Sequence, residues 1–262
     1  LYLYGIADGD ADAVAQAIAV AGSVTSHAPE VRPAGRWLIL VSPHDGAEIL
    51  QTRRRMLAHT RVLEQAMTCA TVLPMRFGHV YDGAGSLEAR LAGHDAEIAA
   101  RMSALRGQAE FGLRVSIPRE PVLAAILDAE PDLAAQRDRL VGRGHAAHYE
   151  KIELGRRVAE ALERRRTDAQ HRLAAELSRL CEDHVLKAPE DDVELLRAEC
   201  LVPAAQAGAV AARVEAAASE LGLVSPDEIS VRLVGPAPPF HFVDLSLAPV
   251  ADGGENPAIG AA

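Results

Sequence analysis

From Ala146 to Asp183 the sequence runs 38 residues without a proline. Its apolar residues Ile152, Val158, Leu162, Ala169, Leu173, Leu177 and Leu180 recur at helical spacing. Such a segment predicts one helix of about 57 Å at 1.5 Å per residue. A helix of that length overhangs any small sheet. Its free end must pack on something else or be solvated by charge. The remaining signals are short strands and shorter helices, so the chain reads as small sheets with helices against them.

Those signals come in one order, twice. Leu1–Ile6 reads as a buried strand, followed by a helix over Ala11–Ala21 with Asp10 as its N-cap. Val24–Arg32 and Arg36–Val41 read as strands across the Pro33-Ala34-Gly35 turn. Ser42-Pro43 opens a helix to about Thr68, and Ala70–Leu73 is a short strand stopped by Pro74. Strand, helix, strand, strand, helix, strand is the ferredoxin-like split βαβ plan. A connecting helix over Leu87–Leu105 leads to a second cycle. It consists of a strand at Phe111–Ile117, helical pieces at Val122–Asp128 and Asp132–Val141, and the long helix. A hairpin of Val185–Ala188 with Val193–Val202, a helix at Ala204–Leu221 and a last strand at Ile229–Val234 complete it. The fold class is therefore α+β, with two ferredoxin-like (βαββαβ-type) domains, the second carrying the long overhanging helix. The boundaries read as 1–75 for the first domain, 76–109 for a connecting helical segment, 110–243 for the second domain with its helix at 146–183, and 244–262 for a disordered tail.

Composition excludes several classes. Lys+Arg total 27 against 37 Asp+Glu, a net charge of −10. A nucleic-acid binder draws most of its affinity from phosphate neutralisation and shows a basic excess. An RRM-like use of the sheet also needs aromatics on central strands, and Trp37–Val41 has no such pattern. No nucleic acid is expected as a partner. No run approaches the ~20 apolar residues of a membrane helix, and the start lacks a signal peptide, so no lipid membrane is expected either. Cys69, Cys181 and Cys200 are far apart and form no CxxC pair, which fits a reducing, cytoplasmic setting.

A search for chemistry returns weak patterns. His145-x-x-His148 could place two imidazoles on one metal, but a catalytic site needs a third ligand, and solvated histidines at a helix start explain it better. Cys181-x-x-His184 reads as a thiol beside a helix-end His. Gly142-Arg143-Gly144 follows helical sequence rather than a strand, so the dinucleotide fingerprint fails on context. Ser42-Pro43-His44-Asp45 has triad residue types without a nucleophile elbow. The runs Arg53-Arg54-Arg55 and Arg164-Arg165-Arg166 are basic; the second alternates with Glu160, Glu163 and Asp168 as a salt-bridged helix face does. The expectation is no catalytic residue, no metal and no cofactor.

Two segments are not explained by local structure. One is Leu73-Pro74-Met75-Arg76-Phe77-Gly78. The other is Gly235-Pro236-Ala237-Pro238-Pro239-Phe240-His241-Phe242-Val243, directly after the last strand. The prolines predict an extended strap that leaves the sheet without adding ladder bonds. Phe240 and Phe242, two apart on an extended chain, then point the same way. The residues singled out for a domain junction or a partner contact are Met75, Arg76, Phe77, Pro238, Pro239, Phe240 and Phe242. At least one phenylalanine of the strap is expected to bury against Met75-Arg76-Phe77.

In this order and separation the two segments resemble the gas vesicle protein F/L family. That family has an LPMRFG-type motif between its halves, here Leu73–Gly78, and a GPWPPYSFV-type motif after its last strand, here Gly235–Val243. The opening Tyr2-Leu3-Tyr4-Gly5-Ile6 is similar to the family's start. Ala237 stands where the family has Trp, Phe240 for Tyr and His241 for Ser. The resemblance covers the chain from Leu1 to about Val243. It implies an N-terminal ferredoxin-like domain, a second α+β domain with long helices, and no catalytic residue. It also implies a non-enzymatic role as assembly factor and minor component of gas vesicles, the buoyancy-giving protein shells inside cells. The implied partners are the hydrophobic gas vesicle shell protein and other gas vesicle accessory proteins, and the implied location is the gas vesicle and the cytoplasm. The alternative reading is a small-molecule enzyme or ligand-binding protein on a ferredoxin-like scaffold, which requires a pocket with convergent polar groups.

Overall fold

The structure, a computed structural model, describes residues 1–46, 48–144, 147–245 and 247. It has two compact units: residues 1–107 together with the segment from Pro238, and Gln108–Ala237.

The first unit contains β1 (Tyr2–Asp8), α1 (Ala11–Ile18), β2 (Glu30–Ala34), β3 (Trp37–Ser42), α2 (Arg53–Met67) and β4 (Thr71–Pro74). The sheet order is β2-β3-β1-β4, antiparallel throughout. This is the ferredoxin-like arrangement expected from the element order. Asp10 caps α1, its carboxylate accepting from the Ala13 amide at 2.9 Å. Tyr2, Tyr4, Ala7, Leu38 and Leu40 face Val14, Ile18, Val62 and Leu63 of the helices in one core. On the opposite face Leu3, Ile6, Ile39, Val41 and Leu73 are also fully buried. Two further helices, α3 (Ala84–Gly93) and α4 (Asp95–Leu105), belong to this unit, and α4 packs on β4. Trp37 Nε1 and Arg36 Nε both donate to the Asp95 carboxylate that opens α4, at 2.8 and 3.0 Å.

The second unit repeats the plan. It runs β5 (Gln108–Ser116), α5 (Arg119–Ala129), α6 (Pro131–Leu140), α7 (His148–Leu180), β6 (Asp183–Leu186), β7 (Glu194–Pro203), α8 (Ala207–Ser219) and β8 (Ser230–Ala237). Its sheet order, β6-β7-β5-β8, is that of the first unit. The crossover after the first strand is three helices instead of one. Helix α7 has 33 residues, hence about 50 Å. From its middle onward it buries Leu162, Ala169, Leu173 and Leu177, while Tyr149 and Ile152 near its start are 86% and 56% exposed. The expected overhang is thus the N-terminal part.

Several sequence expectations shift. Helix α2 begins at Arg53, with Thr52 as N-cap, not at Ser42-Pro43. The Pro43 signal opens an irregular stretch, and the helical pattern starts only where Thr52 can accept the Arg55 amide. The strand expected at Val24–Arg32 is β2 over Glu30–Ala34, with Pro33 tolerated because β2 is an edge strand. The connector expected at 76–109 is α3 and α4, separate helices meeting at His94, and residues up to 107 belong to the first unit. The strap does not leave the sheet at Gly235: Gly235, Pro236 and Ala237 extend β8, and Ala237 pairs with Glu110 past a bulge. Strand β8 is also an edge, where a missing proline donor costs no ladder bond. Gly235 has φ +148, and a Cβ there would sit 2.8 Å from the Glu110 carbonyl oxygen, so the bulge needs glycine. Residues 238–243, expected in the second domain, belong to the first unit. Of the tail expected to be disordered from 244, Leu245 and Leu247 are buried, and Arg90 donates to the Leu247 carbonyl at 2.8 Å.

Candidate functional site

The two segments that local structure did not explain converge on one side chain, His59. Tyr2 and Tyr4 alternate onto the helix-facing side of β1, and α2 presents His59 to them. Beyond β4 the chain continues as Met75-Arg76-Phe77-Gly78. The Met75 amide donates to the Tyr4 carbonyl at 2.9 Å. His59 Nε2 is 2.9 Å from the Met75 carbonyl oxygen, and His59 Nδ1 is 2.7 Å from Tyr2 Oη. A carbonyl only accepts, so the imidazole proton sits on Nε2 and Nδ1 accepts from the tyrosine hydroxyl. Tyr2 Oη in turn accepts from the Gly78 amide at 3.4 Å. Burial lowers the His59 pKa to about 4, despite the opposing bond to Met75, so the ring is neutral at physiological pH. Burial likewise holds the Tyr2 phenol well above its ordinary value.

The rings form one cluster around His59. Tyr4 stacks on it at 5.5 Å, Phe77 meets it edge-on at 5.9 Å, and Phe240 stacks on it at 6.0 Å. Tyr2 lies edge-on to Tyr4 at 4.8 Å. Tyr4 Oη continues the polar network into Ser42 Oγ at 2.9 Å and Ser23 Oγ at 3.1 Å, and accepts from the Val24 amide at 3.1 Å. A pair of buried tyrosines on one strand needs polar partners. That requirement was the sequence signal for His59, Ser23 and Ser42, which motif reasoning missed.

All seven singled-out residues lie in the first unit. Met75 is buried. Arg76 is exposed and pairs with Asp244 at 3.5 Å. Phe77 and Phe240 are half-buried against the core, and Pro238 and Pro239 are buried. After Pro239 the chain turns: the Phe240 amide donates to Pro238 O and the Phe242 amide to Pro239 O. The extended geometry that would align Phe240 with Phe242 is replaced by this turn. Phe240 reaches the His59 ring, and Phe242 is half-buried outside the cluster.

The weaker patterns resolve as follows. His145 lies outside the described residues. His148 opens α7, with its ring 5.9 Å from Tyr149. Cys181 ends α7, its amide donating to Leu177 O, and its interaction with the Cys200 thiol lowers its pKa from the ordinary value. In the run at 164–166, Arg164 and Arg165 approach Glu130 at 3.6 and 3.7 Å, and Arg166 pairs with Glu163. No helix is long and apolar enough to cross a membrane among the described residues.

Comparison with known proteins points one way. The family model described as "Gas vesicle synthesis protein GvpL/GvpF" matches residues 1–244. Gas vesicle protein F of Streptomyces sp. (strain CB03234) is 27% identical over 248 residues, covering 93% of this chain and 99% of that protein. Gas vesicle protein F of Microcystis aeruginosa (strain PCC 7806) is 26% identical over 199 residues, covering 75% and 80%. The crystal structure of the gas vesicle protein GvpF from Anabaena sp. PCC7120 superposes with a TM-score of 0.72 at 23% identity, over 94% of this chain and 98% of that one. The GvpF crystal structure from Microcystis aeruginosa gives 0.63 at 24%, over 93% and 98%. At these identities the structural likeness shows the fold.

Proposed function

The chain belongs to the gas vesicle synthesis protein GvpL/GvpF family, and from that premise we propose that it is a non-enzymatic assembly factor and minor component of gas vesicles. In this reading it binds the hydrophobic shell protein, together with other accessory proteins, as the vesicle forms. The observation that carries the reading is the family match over residues 1–244. The chemistry is coherent with it. A shell subunit awaiting polymerisation exposes apolar surface and strand edges, and such species aggregate unless covered. The groups whose protonation departs furthest in the first unit, His59 and Tyr2, are bonded to each other inside the core, which suits a scaffold better than an enzyme on the same fold.

The surface offered to the shell protein in this proposal is the start of α7, where Tyr149 and Ile152 stand exposed one turn apart. Met75, Phe77, Pro238, Pro239 and Phe240 are assigned a structural role: they close the His59 cluster. Arg76 and Phe242 flank it. Co-expression of the full chain with the shell protein, followed by affinity capture, tests both parts. Tyr149→Ser with Ile152→Ser is expected to lower capture with unchanged melting. Phe240→Ala is expected to destabilise by roughly 1–3 kcal/mol, part of the cost of truncating a fully buried phenylalanine. A full chain that captures no shell protein refutes the functional reading. A Phe240→Ala variant that melts like the parent and loses capture turns the strap into the partner site.

A further inference from the structure

The two arginine triplets have opposite fates. Arg164, Arg165 and Arg166 all reach carboxylates. Among the described residues Arg53, Arg54 and Arg61 have no ion pair or side-chain hydrogen bond, and Arg55 only donates to the Leu50 carbonyl at 3.4 Å. The first of these runs occupies the opening turn of α2, which has no acidic residue. The N-terminus of a helix is its positive end and favours anions, so three cations there oppose the local field. Next to them lies a cavity of about 580 Å³, lined by Gly22 and Ser23 after α1 and by Arg53, Arg54, Leu57 and Arg61 on α2. In a chain of net charge −10, this is a concave surface with uncompensated positive charge.

We propose that this cavity binds an acidic segment of a partner protein, with carboxylates on the arginines and an apolar side chain on Leu57. The site stands on these residues alone and does not depend on the shell-protein reading. Three features select a peptide over a free phosphate. Arg54, Leu57 and Arg61 lie at i, i+3 and i+7, on one helix face. Arg54 and Arg61 are about 10 Å apart along the axis, a spacing that suits two carboxylates of one segment better than a single phosphate. Leu57, between them, is 47% exposed, and an apolar contact there gives a small anion nothing. A segment with acids flanking an apolar residue satisfies all three side chains. Guanidinium–carboxylate pairing supplies charge-assisted, bidentate hydrogen bonds.

Fluorescence anisotropy on the full chain tests this with a labelled peptide of repeating Glu-Leu-Glu and its Gln-Leu-Gln counterpart. The acidic peptide should bind saturably, about tenfold or more tighter than the neutral one, and weaken with added salt. Arg54→Gln with Arg61→Gln should lose about tenfold or more for two charge-assisted contacts, with the parent's melting curve. Arg164→Gln should bind like the parent. If the double Gln variant melts differently, Arg54→Lys with Arg61→Lys replaces it and should retain part of the affinity, because charge is kept while the fork is lost. Equal affinity for both peptides, or undiminished binding by the double variant, overturns the proposal. So does displacement of the peptide by pyrophosphate but not by chloride at matched ionic strength, which would make the cavity a phosphate site.

Discussion

The sheets β2-β3-β1-β4 and β6-β7-β5-β8 share strand order and antiparallel sense, yet β1 is buried along Tyr2–Ala7 whereas β5 alternates. Strands β1 and β3 of the first sheet are buried on both faces. The second puts Phe111, Leu113 and Val115 on its apolar side and Arg114 on the other. The polar groups follow suit. In the first unit the hydroxyls of Tyr2 and Tyr4 have no water to turn to, so they are tied to His59, Ser23 and Ser42. In the second, Arg114 and Arg197 pair with Glu190, which is 54% exposed. One topology thus supports two ways of handling polar side chains. Strand order does not decide between them, and the second sheet also buries Glu110 and Glu194.

The largest expected difference between the units comes from His59→Ala. It removes two buried hydrogen bonds and leaves a void, so the first unit should lose roughly 3–5 kcal/mol. Amide hydrogen exchange should show the loss within residues 1–107 and spare β5 and β7; equal loss in both sheets would mean that the units do not differ as described. A smaller effect follows from pH. The His59 pKa is about 4 folded against 6.5 unfolded, so the unfolded chain binds more protons in that window. Stability is full above pH 6.5 and falls as pH drops toward 4, by up to ~3 kcal/mol. Burial lowers His79, in the same unit, in the same direction. Urea unfolding across this range should therefore weaken the first unit ahead of the second, and His59→Phe should flatten its dependence. At the small end, Arg114→Ala removes the pair with exposed Glu190 and a 4.0 Å contact with buried Glu194 from the second sheet, and should cost no more than about 1 kcal/mol. A clear drop would show that the second sheet, too, depends on its polar side chains.

Much of this fold was legible in the sequence because strands of period two and helices with caps are local signals. Asp10 marked α1, and the proline-free run marked α7. What was not legible depended on neighbours. Pro33 and Pro236 looked like strand terminators, but each sits on an edge strand, and edge position is a property of the sheet. Ser42-Pro43 resembled a helix start, but the capping hydroxyl came ten residues later, from Thr52. At the candidate site both motif segments were visible. Their meeting point was not, since His59 lies in an unremarkable stretch of α2 and only the fold brings it to Tyr2 and Met75.

The first unit is discontinuous, and this sets an order of events on the ribosome. Residues 108–237 are a single stretch, free to fold as soon as they emerge. The core made before them remains unfinished, because the ring that stacks on His59 belongs to Phe240 and Leu245 and Leu247 follow it. Synthesis normally lets the N-terminal domain fold first. Here its closing pieces leave the exit tunnel only after the second unit, so the unit begun before it is completed after it. A nascent chain stalled before Pro238 would present the open His59 socket to whatever chaperone or partner waits outside.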